Sequence, residues 1–395
     1  MDFELNDEQQ QLKSTVERFL AGAADFAART RAVRGEPGWR EDVWKGLAEL
    51  GVLSIGLPEA QGGFGGGLEM MAAMEEVGRA LAPEPLAETL FQAAPLLARG
   101  GHEQLLAGIA AGTVRLALAV GEEAMRDDLS AIALRASPMA GGWRLDGTKC
   151  VAVAAPWATH LLVAARTSGQ AGEGEGLSLL LVPADAPGVT MASYRMLDER
   201  RAADVTFDGV ATAALVGAKG QGLALLEEWR DRAIAAAAAE ACGVIERLLD
   251  DTVAYARQRE QFGQKIGSFQ ALQHRMVDMY LELELARSAA MLACQSLDGD
   301  PMQRAAAASA AKVTVARACR FAGQNAVQLH GGMGMTDELA IGHYFKRATV
   351  IEHQFGAAGW HLARRAALAA RAACAAARAT PLENPAQAVG ANHAP

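Results

Sequence analysis

The residues of this chain with the spacing to do chemistry sit in two glycine-broken stretches. The first, at 255–286, reads YARQREQFGQKIGSFQALQHRMVDMYLELELA. It carries Arg259, Phe262, Gly263, Ile266, Phe269 and Gln270 as Arg-x-x-Phe-Gly-x-x-Ile-x-x-Phe-Gln. A helix enters it, breaks at Phe262-Gly263, passes Gly267 and resumes at Ser268. The second is His330-Gly331-Gly332-Met333-Gly334, with Gln328 just before it. Gly-rich turns leading into helix N-termini suit phosphate groups, because free N–H groups and the helix dipole point there. A nearby cation such as Arg259 adds a charge-assisted contact. Neither turn is a GxGxxG after a strand, so neither is a Rossmann fingerprint. Taken alone, Phe262 reads equally well as a bundle-core residue.

Long helices must hold these turns, and the pattern supplies them. Leu5, Leu12, Val16 and Phe19 recur at helical spacing over 1–30, where Asn6 or Asp7 can cap the start. A short helix over 39–50 ends at Gly51. The glycine loop 57–67 permits positive φ, either for close approach to a ligand or as a flexible connection. Helices over 68–82 and 86–98 are separated by Pro83 and Pro85, and another covers 102–111. Near residue 114 the texture changes to short apolar runs punctuated by Gly, Pro, Asp and Ser, such as GWRLDGTKCVAVAA and LSLLLVPADA. That predicts an antiparallel β domain, with an exposed Gly/Glu loop at 168–176. From 223 helices return: one or two over 223–258, then 268–297, a break at Asp298-Gly299-Asp300-Pro301, then 302–329, 337–353 and 356–378. The expected fold is α+β and multidomain. It has an N-terminal α-helical domain (1–114), a middle antiparallel β-barrel-like domain (115–222), a C-terminal four-helix bundle (223–379) and a disordered tail (380–395).

Bulk properties narrow the function. The chain has 395 residues, 51% hydrophobic, and a net charge of −9. It has no long basic run, so a nucleic-acid partner has no electrostatic footprint. Five scattered cysteines without CxxC spacing read as free thiols in a reducing compartment, not as a zinc site. The opening MDFELNDEQQ lacks the features of a signal peptide, and the Ala-rich helices carry charges that argue against a membrane span. A cytoplasmic protein is expected.

With these residues in view, the sequence resembles the acyl-CoA dehydrogenase flavoprotein family over nearly its whole length. The resemblance runs through LNDEQQQLKSTVERFL, LAELGVLSIGLPEAQGGFGGG, EEVGRAL, LDGTK and DERRAADVTFDGV. Its most specific parts are YARQREQFGQKIGSFQALQHRMVDM and AVQLHGGMGMTDE followed by Phe345-Lys346-Arg347. It implies noncovalent FAD, a dimer or tetramer, an acyl-CoA substrate and an electron-transfer flavoprotein as acceptor. Arg259, Phe262 and Gln270 match positions that reach the neighbouring subunit's FAD, with Arg259 at the pyrophosphate and Phe262 beside the adenine. Gln328, Gly331 and Gly332 match the second FAD motif. The implied reaction is α,β-desaturation: a carboxylate takes the α-proton while the β-hydrogen leaves as hydride to flavin N5. The base then has to be desolvated and the thioester carbonyl polarised.

The chain departs from the family at the base itself. The usual glutamate follows the last-motif arginine by nine residues, and counted from Arg347 that place is Gly356. In members that carry the base on the first long bundle helix, the ungapped count gives Ala233, and a two-residue slip gives Asp231. Glu240, seven residues beyond Ala233 on the same helix face, stands in the uncharged run AAAAEAC, where burial would raise its pKa. Glu240, Asp231 and Glu352 are therefore candidate bases. Glu240 is equally a carboxylate hydrogen-bonded to a facing helix, and Glu352 a surface one. In the family the acyl pocket involves the 223–243 helix, where the Ala run suggests room for a bulky group. The departures resemble a bacterial branch that includes steroid side-chain CoA dehydrogenases, several of them heteromers of two related chains. Two other readings stay open: a noncatalytic or half-site subunit lending Arg259 and Gln328 to a sister chain's FAD, and a flavin monooxygenase or oxidase on the same fold.

Overall fold

The computed structural model describes residues 4–23 and 25–379, so the expected tail at 380–395 lies outside the described residues. The N-terminal part is helical: α1 (Asp7–Ala23), α2 (Phe26–Arg34), α3 (Glu41–Glu49), α4 (Gly67–Ala80), a π-helical turn (Ala87–Ala93) running into α5 (Ala94–Ala98), and α6 (Glu103–Ala110). Asn6 and Gln9 cap α1 reciprocally, each side chain accepting from the other's backbone N–H at 2.9 and 3.0 Å. That satisfies two donors a helix start would leave free.

Eight strands follow: β1 (Leu116–Ala119), β2 (Arg135–Met139), β3 (Gly142–Val153), β4 (His160–Arg166), β5 (Leu177–Pro183), β6 (Val189–Arg195), β7 (Arg201–Thr212) and β8 (Leu215–Val216). They form one sheet in the order β6-β7-β3-β2-β4-β5-β8, with β1 beside β4. The expected antiparallel barrel needs correction here. The sheet is open, and β1 runs parallel to β4 with Leu116 opposite His160 and Ala119 opposite Val163. The central strands read as continuous apolar runs because both faces are covered. Along β4, Leu162 and Ala164 enter the large core shared with the helices, while Leu161, Val163 and Ala165 enter a second core on the far face.

The C-terminal part holds α7 (Gly222–Gln258), a two-strand hairpin of β9 (Glu260–Gln261) and β10 (Gln264–Lys265), α8 (Gln270–Gln295), α9 (Pro301–His330), α10 (Ala340–His353) and α11 (Ala358–Ala379). The expected four-helix bundle is thus five helices among the described residues. α7 is one unbroken helix of 37 residues. Asp300 caps α9 through the N–H groups of Met302 and Gln303 at 3.0 and 2.9 Å, with Pro301 in the first turn, where its missing N–H costs nothing.

The alanine run of α7 has a different use from the acyl pocket expected of it. A Cβ on Gly78 would lie 2.0 Å from the carbonyl oxygen of Glu240, and one on Gly243 1.8 Å from that of Glu75. α4 and α7 therefore cross backbone to backbone. Ala235, Ala236, Ala238, Ala239 and Ala241 are buried in that packing, because only small side chains allow two helices to approach so closely.

Candidate active site

A cavity of about 530 Å³ opens between the β domain, α7 and the end of α10. Its β wall is made by the connection after β1 and by the end of β3. Gly121 is needed there: Cys150 N–H donates to its carbonyl at 2.8 Å, and a Cβ at 121 would stand 2.6 Å from Cys150 O. Beside it Val151 has φ +53° and is 54% exposed. A β-branched residue rarely takes that conformation. It occurs where the β3–β7 register shifts between Lys149 and Ala152, and Asp204 holds the Val151 N–H at 3.0 Å. Arg126 and Phe355, at φ +47° and +60°, line the same cavity. Strained backbone of this kind collects where a ligand must be met.

The opposite wall is the turn Gln354-Phe355-Gly356. Lys312, buried under it, donates to the last-turn carbonyls of Ile351 and Glu352 at 2.6 and 2.8 Å and so ends α10. Burial pulls this lysine down to about 8. The chain then reverses through Phe355 and through Gly356 at φ +109°. His361 fastens the turn, its Nε2–H donating to Phe355 O at 2.9 Å while Nδ1 accepts from Ser309 Oγ at 3.1 Å.

Burial holds His361 neutral, with its pKa lowered from 6.5 to about 4. A depressed folded-state value means the turn's stability is fully present above pH 6.5 and is lost as pH falls towards about 4, since the unfolded chain takes up the proton first. Urea midpoints measured across that window should fall with pH for the native chain and fall less for His361→Gln. Equal slopes would remove His361 as the cause.

Of the polar groups that line the cavity, Glu88, Gln92 and Glu122 are held by neighbouring side chains, while Arg126, His353 and Gln354 stand at its edge. Glu88 accepts from Arg200 Nη2 at 2.8 Å, and Gln92 from Trp229 Nε1 at 3.1 Å. Glu122 takes Lys149 Nζ at 2.6 Å and the N–H groups of Ala133 and Leu134. Burial acts to raise the Glu122 carboxyl, but the ammonium and those N–H donors hold it below its ordinary value. Asp127 is half-buried and has no side-chain partner among the described residues. Arg230 is 7% exposed and lies over the Trp360 ring at 4.4 Å.

The expected bases are elsewhere. Glu240 is gripped by Arg347, whose Nε and Nη2 each stand 2.6 Å from its oxygens, while Nη1 reaches Asp198 at 2.7 Å. Asp231 sits inside the continuous α7, paired with Arg364 at 2.5 Å and Arg304 at 3.6 Å. Neither lines the cavity, and each is already held by arginine. Glu352 pairs with Arg320 and likewise lies outside the cavity. Gly356 does line it, and carries no side chain. Sequence reasoning missed Arg230 altogether. Its only signal was a charge between Trp229 and the alanine run.

The two glycine-broken turns meet at one end of the bundle, where Tyr255 stacks on His330 with ring centroids 4.3 Å apart. Phe262 and Gly263 form the two-residue tip of the β9–β10 hairpin, both at positive φ (+54° and +77°), as a tight hairpin turn requires. Phe262 is therefore no core residue: it is 90% exposed. Arg259, Gln270, Gln328, Gly331 and Gly332 are exposed too, and Cβ atoms on the two glycines would meet nothing within 4 Å. None of these residues lines the cavity of the same chain. Nearby, α8 presents Val277, Tyr280, Leu281 and Leu285, each 50–55% exposed, at the spacing of one helix face. No helix among the described residues is long and apolar enough to cross a membrane.

Three family descriptions match: acyl-CoA dehydrogenase N-terminal domain over residues 6–113, middle domain over 117–210 and C-terminal domain over 220–367. A curated relative, the probable acyl-CoA dehydrogenase YngJ of Bacillus subtilis, is 31% identical over 89% of this chain and 95% of its own. Among solved structures, a variant of the Tcur3481–Tcur3483 steroid ACAD superposes with TM-score 0.83 and 33% identity over 93% of this chain and 99% of that one. The ChsE4–ChsE5 complex from Mycobacterium tuberculosis gives TM-score 0.82 and 27% identity over 97% and 100%. The FAD complex of PigA gives 0.85 and 25% over 94% and 99%.

Proposed function

The chain belongs to the acyl-CoA dehydrogenase family, and from that premise we propose that it works with a related second chain, which carries the α-proton base. It is an oxidoreductase acting on the CH–CH bond of an acyl-CoA, with a flavin cofactor. The backbone at Gly356 carries the proposal: φ is +109° and a Cβ would lie 2.9 Å from His361 Nε2, so the usual place of the base is closed to any side chain. Of the other carboxylates that line the cavity, Glu88 and Glu122 are neutralised by Arg200 and Lys149, and Asp127 stays unpaired among the described residues, in the connection after β1 on the wall opposite Gly356.

FAD is the flavin that suits the exposed turns. A cation at Arg259, amides at Gln270 and Gln328, and open backbone at Gly331 and Gly332 form a donor set for a pyrophosphate and its adenosine. Phe262 offers an aromatic face to the adenine. None of the six lines the cavity of its own chain, which supports delivery to a neighbouring subunit across the apolar face of α8. The bound flavin supplies the hydride acceptor. The cavity of this chain supplies an apolar enclosure and the Gln354–Phe355–Gly356 backbone, whose rigidity comes from His361 and Lys312. Electrons leave to an electron-transfer flavoprotein.

The test is purification of the chain alone and with its related subunit. Alone, it should be colourless or fail to bleach with acyl-CoA under anaerobic conditions. Co-purified, the assembly should be yellow and bleach. A yellow chain that bleaches unaided would overturn the proposal. In the assembly, Arg259→Ala should weaken FAD binding roughly ten- to a hundred-fold, the loss of one charge-assisted contact. Unchanged flavin retention on dialysis would remove Arg259 from the site.

A further inference from the structure

We infer that Arg230 is a recognition residue for a second carboxylate, one carried on the acyl group of the thioester. The inference rests on reading this cavity as an acyl-CoA site. Arg230 is 7% exposed, lines the cavity, and makes no ion pair among the described residues. Its Nη1 donates to the backbone carbonyl of Asp127 at 3.0 Å, but its Nε is buried with no partner. Arg200, Arg201 and Arg304 share the orphaned buried Nε, but each of them has a carboxylate, Glu88, Glu36 and Asp231 respectively. Arg347 holds two carboxylates, Arg29 has Glu199, Lys149 has Glu122, and Arg166 donates to four carbonyls. Leaving a buried guanidinium half-satisfied is costly, and the Trp360 face and the more distant charges of Asp231, Glu227 and Asp127 offset it only in part.

The surroundings select an anion in the acyl region. Arg230 and Arg364 both lie over the Trp360 ring, at 4.4 and 5.8 Å. Arg364 takes the local carboxylate, Asp231, so Arg230 is left beside a like charge. Burial and Arg364 lower its pKa to about 10, which still leaves it protonated at neutral pH. The Trp360 ring in turn lies within 3.5 Å of where a Gly356 Cβ would be, so one ring separates the cation from the turn that closes the cavity. Leu118, Val120, Met125, Trp229 and Phe355 supply the apolar part of the wall, and Arg126, Asp127, His353 and Gln354 line it as well. A phosphate would need several donors. One guanidinium whose Nη2 has no hydrogen-bond partner among the described residues suits a single carboxylate.

The experiment is isothermal titration of the flavin-loaded assembly with length-matched pairs: glutaryl- against pentanoyl-CoA, adipoyl- against hexanoyl-CoA, and sebacoyl- against decanoyl-CoA. At one length or more the carboxylated member should bind about tenfold tighter or better, the range of one charge-assisted hydrogen bond. Arg230→Met should abolish that preference while binding of the uncharged member stays within about twofold, and Arg230→Lys should keep part of the preference. No preference at any length in the native protein overturns the inference, and needs no variant. Preference surviving in Arg230→Met overturns it too. Equal weakening of both members would assign Arg230 to the CoA or the flavin, and is the third overturning result. Flavin content, read separately by absorbance, reports on the two-chain reading, so its failure is distinguishable from failure here.

Discussion

Arg347→Met is expected to cost about 3–5 kcal/mol of stability, the range for breaking a buried ion pair from one side. The side chain is 4% exposed and joins three parts of the fold. It extends from α10, binds Glu240 of α7 through two N–H donors, and binds Asp198 in the β6–β7 connection through a third. Its removal strands two carboxylates in a dry interior, where each loses its partner and neither regains water. Urea denaturation of the native and substituted chains measures the effect. Adding Glu240→Gln and Asp198→Asn to Arg347→Met should recover part of the loss, because uncharged amides are cheaper to bury than lone carboxylates. A loss under about 1 kcal/mol, or no recovery in the triple substitution, would refute the triad as the tie between the β domain and the bundle. Glu240→Gln alone should change stability and leave flavin bleaching by the assembly intact, which separates a structural carboxylate from a base.

Gly356→Glu, the substitution that writes the usual base back into the sequence, should fail to create one and should destabilise the chain by about 2–4 kcal/mol. Left-handed backbone strain on a non-glycine residue and overpacking against a fixed neighbour each contribute on the order of 1–3 kcal/mol. Both apply: φ is +109°, and the new Cβ would stand 2.9 Å from His361 Nε2 and 3.5 Å from Trp360 Cε3. His361 cannot swing aside without giving up Ser309 and the Phe355 carbonyl. Gly356→Ala meets the same Cβ strain without the carboxylate and is the control. Native-like stability together with acyl-CoA bleaching by the isolated Gly356→Glu chain would show that the turn accepts a base, and would end the two-chain proposal.

Much of the architecture was legible in the order of residues because it is decided locally. Asn6, Asp300-Pro301 and Gly51 announce helix ends through their own side-chain or backbone preferences. Phe262-Gly263 announces a reversal because glycine accepts positive φ at no cost. The period of apolar residues separates helices from strands without reference to anything distant. The absence of a side chain at Gly356 is a property of the sequence alone, and so is the pairing of the two glycine turns with Arg259 and Gln328.

What the tertiary structure decided was partnership. Glu240 in an uncharged helix looks like a desolvated base until Arg347, distant in the chain, closes on it from α10. Asp231 looks like a base beside an arginine until Arg364 takes it from α11. The alanine run looks like space and turns out to be contact, because α4 arrives against it. Mixed against purely antiparallel turned on β1 running parallel to β4, a choice of direction no strand encodes by itself, and open sheet against barrel turned on β6 and β8 staying unpaired with each other at the ends of the strand order. Arg230 was invisible as a site for the same reason in reverse. A charge in a sequence carries no sign of whether folding will bring it an ion pair, and only the folded chain shows this one with a buried, unpartnered Nε and no ion pair among the described residues.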